Sequence, residues 1–265
     1  MCLILFAAGA HPRYPLIVAA NRDEAYHRPT ATAAFWTDHA HVYGGRDLEQ
    51  GGTWLGVTET GRFAAVTNYR LGHARPDRAR SRGELTRDYL VGTDAAGPYL
   101  KTISERANEY NGFSLIAGDL ERLYFFSSHG AGVEAIAPGV HGLSNHLLDE
   151  PWPKVTQGAA VLRGLLDTSE DDLTRRLFDV LADRTRAPAA LLPRTGVGME
   201  RERDLSAAFI AGETYGTRAS TVLLIEAGGE ALFSERTYGA GGTPLGQSER
   251  RFQIERPLTG RSVRA

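Results

Sequence analysis

The chain has 265 residues, enough for one large domain or two small ones, and its balance of 42% hydrophobic to 23% charged residues is that of a globular protein with a full core. With 30 basic and 32 acidic residues the formal charge is -2, so no global field favours nucleic acid or an anionic membrane. No apolar stretch approaches the roughly 18 residues of a membrane-spanning helix, and the single cysteine, Cys2, excludes an internal disulfide and a thiolate metal cluster, which fits a reducing, cytoplasmic setting.

The opening run Cys2–Ala8 is apolar with no basic residue before it, unlike a secretory signal, and reads as a buried strand. Residues 15–21 read as a second strand after the turn-like Gly9-Ala10-His11-Pro12. Residues 41–44, 53–58 and 62–68 continue an antiparallel meander, with Gly61 supplying the positive φ of a hairpin at Glu59-Thr60-Gly61. The arginine-rich stretch from Arg70 to Arg82 reads as a loop. Ser81 and Glu84 have capping-box spacing and open a helix to about Val91. Another helix runs from about Ala95 to Tyr110 and stops at Asn111-Gly112. Two strands follow at Phe113–Gly118 and 122–127, with short ones in 132–145. Helices are predicted over 151–166 and 171–181, an irregular Pro- and Gly-rich segment over 185–216, and a closing hairpin from 221–226 and 231–236. The tail after Tyr238 shows little periodicity. The histidines are scattered; His39 and His41 share a predicted strand face, but no carboxylate or cysteine completes a zinc spacing, so neither metal nor cofactor is expected.

Strands, a helix pair, strands, a second helix pair and a closing hairpin place helices outside antiparallel sheets, and the lack of βαβ alternation disfavours a doubly wound parallel sheet. The expected class is α+β in a single domain over 1–265. A layered αββα sandwich is one natural solution, although element counts alone do not single it out.

Chemistry centres first on Cys2. If Met1 is removed, one residue carries a thiol and a free α-amine, whose ordinary pKa values of about 8.5 and about 7.7–8.0 are closely matched. The amine can accept the thiol proton and release a nucleophilic thiolate. By position alone, a small buried side chain on the first strand is the commoner explanation of such a cysteine. The run Asn21-Arg22-Asp23-Glu24 ends the second strand with four polar residues. A solvated strand end is the usual meaning; beside Cys2, an arginine favours the thiolate and a carboxylate favours the ammonium. Asn68 and Asn145 each end a strand where an amide can face a developing oxyanion, though such asparagines more often form turns. Arg218, before a late apolar strand, is ordinarily a surface charge.

The ordered set Met1-Cys2, Asn21-Arg22-Asp23-Glu24, Gly52-Thr53-Trp54-Leu55-Gly56, Thr67-Asn68-Tyr69-Arg70, Ser81-Arg82-Gly83 and Ser220-Thr221-Val222 resembles the NRDE family, the transport and Golgi organisation protein family. The match spans nearly the whole chain, and its motifs are specific in combination. That family resembles the N-terminal-nucleophile hydrolases, which implies a four-layer αββα sandwich. Its nearest analogues are the penicillin V acylase and bile-salt hydrolase group. The resemblance implies that Cys2 is the nucleophile with its amine as base, that Asn68 and Asn145 serve the oxyanion, and that Arg218 lies near the nucleophile. One departure stands out: the hydrolase group separates its arginine and aspartate by two residues, whereas Arg22 and Asp23 are adjacent. Adjacent strand residues face opposite sides, so either the strand is bulged or only one charge enters the site.

Two functions from different classes follow. One is a cysteine-dependent amidohydrolase or acyl transferase acting on a small nonpeptide amide. The other, implied by the family's links to membrane traffic, lipid and haem, is a non-catalytic trafficking or binding protein for haem, lipid or acyl-CoA, with His73 or His146 available to a ligand. Either way the partner is a small molecule, not nucleic acid, and no stable membrane insertion is expected.

Overall fold

The computed structural model describes residues 2–72 and 80–255. β1 (Cys2–Ala8) is flanked by β2 (Leu16–Ala25) and β10 (Gly139–Leu143), so it is covered on both faces and on both edges. A strand in that position needs an unbroken apolar run rather than an alternating one. Its side chains still divide by parity: Leu3, Leu5 and Ala7 enter one core, Ile4 and Phe6 another. With β11 (Tyr215–Ile225), β12 (Glu230–Tyr238) and β13 (Pro244–Gln253), these strands form a six-stranded sheet in the order β10-β1-β2-β11-β12-β13.

The second sheet runs in chain order through β3 (Thr30–Phe35), β4 (Val42–Asp47), β5 (Leu55–Thr58), β6 (Phe63–Asn68), β7 (Phe113–Gly118), β8 (Leu123–Ser127) and β9 (Glu134–Ala135). All the described pairings in both sheets are antiparallel. The expected early meander is therefore divided: the first two strands belong to one sheet and β3–β6 to the other.

Three apolar layers hold the stack together. Between the sheets, Phe6, Val18 and Phe233 meet Leu55, Phe63 and Ile116. Outside the first sheet, α3 (Pro153–Leu165) and α4 (Glu170–Leu181) bring Leu162, Leu173 and Leu177 onto Leu5, Ile17 and Leu224. Leu173, Leu177 and Leu181 recur every four residues, which puts them on one helical face. Outside the second sheet, α1 (Arg82–Val91) and α2 (Ala96–Glu105) pack Leu85, Tyr89 and Leu100 onto Ala64, Phe113 and Leu115. The result is the four-layer αββα sandwich. A short α5 (Met199–Asp204) lies within the otherwise irregular 185–216 segment.

Several local expectations are corrected. Ser81 does cap α1, accepting from the Gly83 N–H at 3.3 Å, but Glu84 does not complete a capping box. Its carboxylate is engaged by the Arg80 guanidinium and by the Tyr110 hydroxyl at 2.7 Å rather than by the Ser81 backbone N–H. His39 and His41 lie in the turn before β4, not on a strand. The tail after Tyr238 contains the ten-residue β13, an exposed edge strand paired only to β12, and therefore without the burial that produces periodicity. Among the described residues no helix is long and apolar enough to cross a membrane.

Candidate active site

Cys2 opens β1 at a corner where strands of one sheet meet loops from the other. In the β1–β2 ladder it stands directly opposite Arg22, after Leu3 opposite Asn21. Its sulfur therefore shares a face with Arg22, while its backbone nitrogen heads toward the rung of Asp23. On the other flank Ser144, just past β10, donates its hydroxyl to the Cys2 carbonyl at 3.1 Å.

The first three of the four polar residues of β2 alternate across the sheet. Asn21 faces the helical layer and donates to the carbonyls of Leu181 and Ala208, both at 2.8 Å. Arg22, only 6% exposed, faces the gap between the sheets and donates to the Thr30 hydroxyl at 3.2 Å. Asp23 returns to the Asn21 side, where its carboxylate accepts from the Thr217 hydroxyl at 2.7 Å and its carbonyl from the Tyr215 hydroxyl at 3.0 Å. β2 is thus unbulged. The irregularity lies opposite, in β11 between Thr217 and Ala219, with Arg218 as the extra residue. Bulges re-aim side chains, and this one places Thr217 on Asp23 while Arg218 donates to the carbonyls of Ala25 and Arg28 at 2.8 and 2.9 Å. Arg22 and Arg218 consequently line one cleft of about 460 Å³, together with Trp54, Glu235 and Tyr238.

The two asparagines are tied to one another. Asn145 donates its side-chain amide to the Asn68 carbonyl at 3.0 Å, and Arg70 N–H donates to the Asn145 carbonyl at 2.8 Å. The Asn145 side-chain oxygen accepts from the Arg70 guanidinium at 3.3 Å and from Ser144 at 3.4 Å, which fixes which end of the amide is the donor. Arg70 is anchored by Glu202 at 2.6 Å, both side chains being buried, and its guanidinium lies over the Trp152 ring.

Burial dominates the electrostatics. It pushes the Cys2 thiol up, and the Asp23 charge adds to this, whereas a hydrogen bond from the Asp23 backbone N–H and the Arg22 charge favour the thiolate. Burial also raises Asp23, opposed by the charge of Lys154 and by the Thr217 hydrogen bond.

The profile of the Transport and Golgi organisation 2 family matches residues 1–240. The chain belongs to this family. The Transport and Golgi organization protein 2 homolog of Bos taurus is 38% identical over 258 residues, covering 89% of this chain and 93% of that protein. The Mus musculus homolog is 36% identical over 261 residues, with the same coverage of 89% and 93%. Among solved structures, the Caenorhabditis elegans N-acylethanolamine-hydrolyzing acid amidase ortholog superposes with a TM-score of 0.50 at 13% identity, covering 84% of this chain and 92% of that one. The two share the four-layer αββα sandwich.

In this member of the Transport and Golgi organisation 2 family, sequence reasoning missed Ser144, Thr217, Glu202 and Lys154. Lys154 is the most informative of these. It lies in the first turn of α3, directly after Pro153, and is buried. A cation at a helix N-terminus opposes the macrodipole, and that is the signal its position carries in the sequence. Arg82 is also drawn in: burial lowers its pKa, and the neighbouring charges include Glu24 and Cys2. His146 has both ring nitrogens engaged, by Tyr69 at 2.7 Å and Glu150 at 2.9 Å, whereas His73 lies outside the described residues.

Proposed function

We propose that this chain is a cysteine-dependent N-terminal-nucleophile amidohydrolase or acyl transferase acting on a small nonpeptide amide. The observation that carries the reading is a juxtaposition. Cys2 stands in register with Arg22, and Arg22 with Arg218 lines the neighbouring cleft between the sheets, whose lining stops short of Cys2, Asn68 and Asn145.

Removal of Met1 would free the Cys2 amine beside the rung of Asp23. The amine takes the thiol proton, the sulfur attacks the carbonyl carbon, and the C=O π pair moves to oxygen. The Arg22 guanidinium favours the thiolate and the Asp23 carboxylate the ammonium, so emerging from opposite faces of β2 lets each address a different end of Cys2. Asn145, with the strand end at Asn68, supplies donors to the oxyanion. Collapse restores C=O and breaks the C–N bond, the α-ammonium proton goes to the departing nitrogen, and a thioester stays on Cys2. Water or another nucleophile then takes the acyl group and returns the thiol. The single cysteine supports a cytoplasmic setting for this chemistry.

A second reading has its own support. Cys2 is only 7% exposed and its thiol is raised by burial, as in a core cysteine, and the relatives carry transport names. On this reading the scaffold binds or traffics haem, lipid or acyl-CoA without turnover. His146 would have to release Tyr69 or Glu150 to ligate iron.

The experiment is an acylation screen with a panel of reactive amides and esters, read by intact mass in wild type and Cys2→Ala, with the state of Met1 read in the same spectra. The expected result is an acyl adduct on residue 2 that Cys2→Ala lacks. No adduct across the panel, with haem or acyl-CoA binding that survives Cys2→Ala, would overturn the enzyme reading in favour of the second.

A further inference from the structure

Lys154 is 5% exposed, and its ammonium nitrogen has no hydrogen-bond partner among the described residues. Keeping a cation out of water without a partner is costly, and the adjacent helix N-terminus adds to that cost. Packing does not explain the charge. The rest of the buried face of α3 is apolar, with Val155, Leu162 and Leu165 in the core, and a methionine would serve there equally well.

What surrounds Lys154 does explain it. The charges that act on it are Asp23 from β2, Cys2 from β1 and Arg70 from beyond β6. Arg70 is itself engaged by Glu202 of α5, and Tyr215 of β11 closes the same group through its bond to the Asp23 carbonyl. The cation thus lies within electrostatic reach of the nucleophile and of the carboxylate at its amine end.

We propose that Lys154 is a positioning residue for the nucleophile: its fixed ammonium stabilises the Cys2 thiolate and keeps Asp23 ionised, which offsets the burial of both. This rests on the reading of Cys2 as a nucleophile. Burial pushes Lys154 down to about 8, so the ammonium still predominates at neutral pH, where the thiol must give up its proton.

The test is the rate of Cys2 alkylation by iodoacetamide against pH in wild type, Lys154→Met and Lys154→Arg, with the thermal midpoint recorded for each. Cys2 is the single cysteine, so the signal needs no assignment. In Lys154→Met we expect the alkylation midpoint to rise by about one pH unit and the rate at pH 7 to fall about tenfold. Its thermal midpoint should be unchanged or higher, because an unpartnered buried charge has been removed. Lys154→Arg should restore most of the reactivity. An unshifted profile in Lys154→Met, or the loss of its cooperative melting, would overturn the proposal, the latter by making Lys154 structural. The two claims separate cleanly. A shifted profile with no acyl adduct on wild type leaves Lys154 its role and removes the amidase, and an adduct with an unshifted profile does the reverse.

Discussion

Glu202 accepts three hydrogen bonds in a buried setting: from the Arg70 guanidinium at 2.6 Å, the Thr195 N–H at 2.8 Å and the Thr195 hydroxyl at 2.6 Å. Through Arg70 it also holds the Asn145 side chain. Removing one member of a buried ion pair strands the other, so Glu202→Ala should cost about 3–5 kcal/mol in urea unfolding, far beyond an exposed pair. Glu235 offers a pH test of opposite character. It is 3% exposed, accepts from the Ala33 N–H at 2.8 Å and the Thr221 hydroxyl at 3.4 Å, and burial raises its pKa. For a carboxyl raised on folding, the stabilisation is fully present below its ordinary pKa of about 4.3 and is lost as pH climbs through the folded value. Glu235→Gln keeps an acceptor for Ala33 but cannot ionise. Its thermal midpoint should therefore gain on that of wild type as pH rises from about 4 toward neutrality, and a constant difference would refute the raised carboxyl.

At the scale of elements, α3 fixes how close Lys154 comes to Cys2. Gly158, one turn further on, lies against β1: a Cβ there would sit 2.5 Å from a Leu5 methyl, and Leu5 is fully buried. Alanine would gain about 1 kcal/mol of helix propensity, yet overpacking a closed core costs about 1–3 kcal/mol, so Gly158→Ala should lower the thermal midpoint and, by lifting α3, slow Cys2 alkylation. The elements themselves were largely legible where burial imposes a period. The apolar run of Cys2–Ala8, the spacing within α4 and the Ser81 start of α1 can all be read from residues. β13 could not, because an exposed edge strand leaves its composition free. Nor could the division of the first six strands between two sheets, which depends on partners distant in sequence. For the candidate site, Cys2, Arg22, Asp23, Asn68, Asn145 and Arg218 are the residues proposed from sequence. Their separation by face was only half foreseen: alternation along β2 was legible, but the bulge falls in β11, where Arg218 gives no local sign of being the extra residue. Lys154 stayed hidden because a lysine in an amphipathic helix is ordinarily solvated.

For the whole molecule, the decisive feature is that no single layer owns the candidate site. Cys2, Arg22, Asp23 and Arg218 come from the first sheet, Asn68 from the second, and Asn145 and Lys154 from the connection and helix that follow β10. A chain of 265 residues is long enough to populate intermediates or divide into domains. Opposing that is the inter-sheet core, where Phe6 and Phe233 of one sheet pack with Phe63 and Phe125 of the other, so neither sheet can leave without exposing both inner faces. The three tryptophans report on this directly. Trp152 lies in the layer between α3, α4 and the first sheet, Trp36 in the layer between α1, α2 and the second, and Trp54 beside the inter-sheet core. If the shared core governs, single-tryptophan versions should unfold in urea with one common midpoint, and the protection of Cys2 from alkylation should vanish at that same concentration. A Trp54 signal and Cys2 protection that are lost first, while Trp36 and Trp152 stay native, would mean that the sheets part as two stable halves and that the site is the weakest seam of the fold.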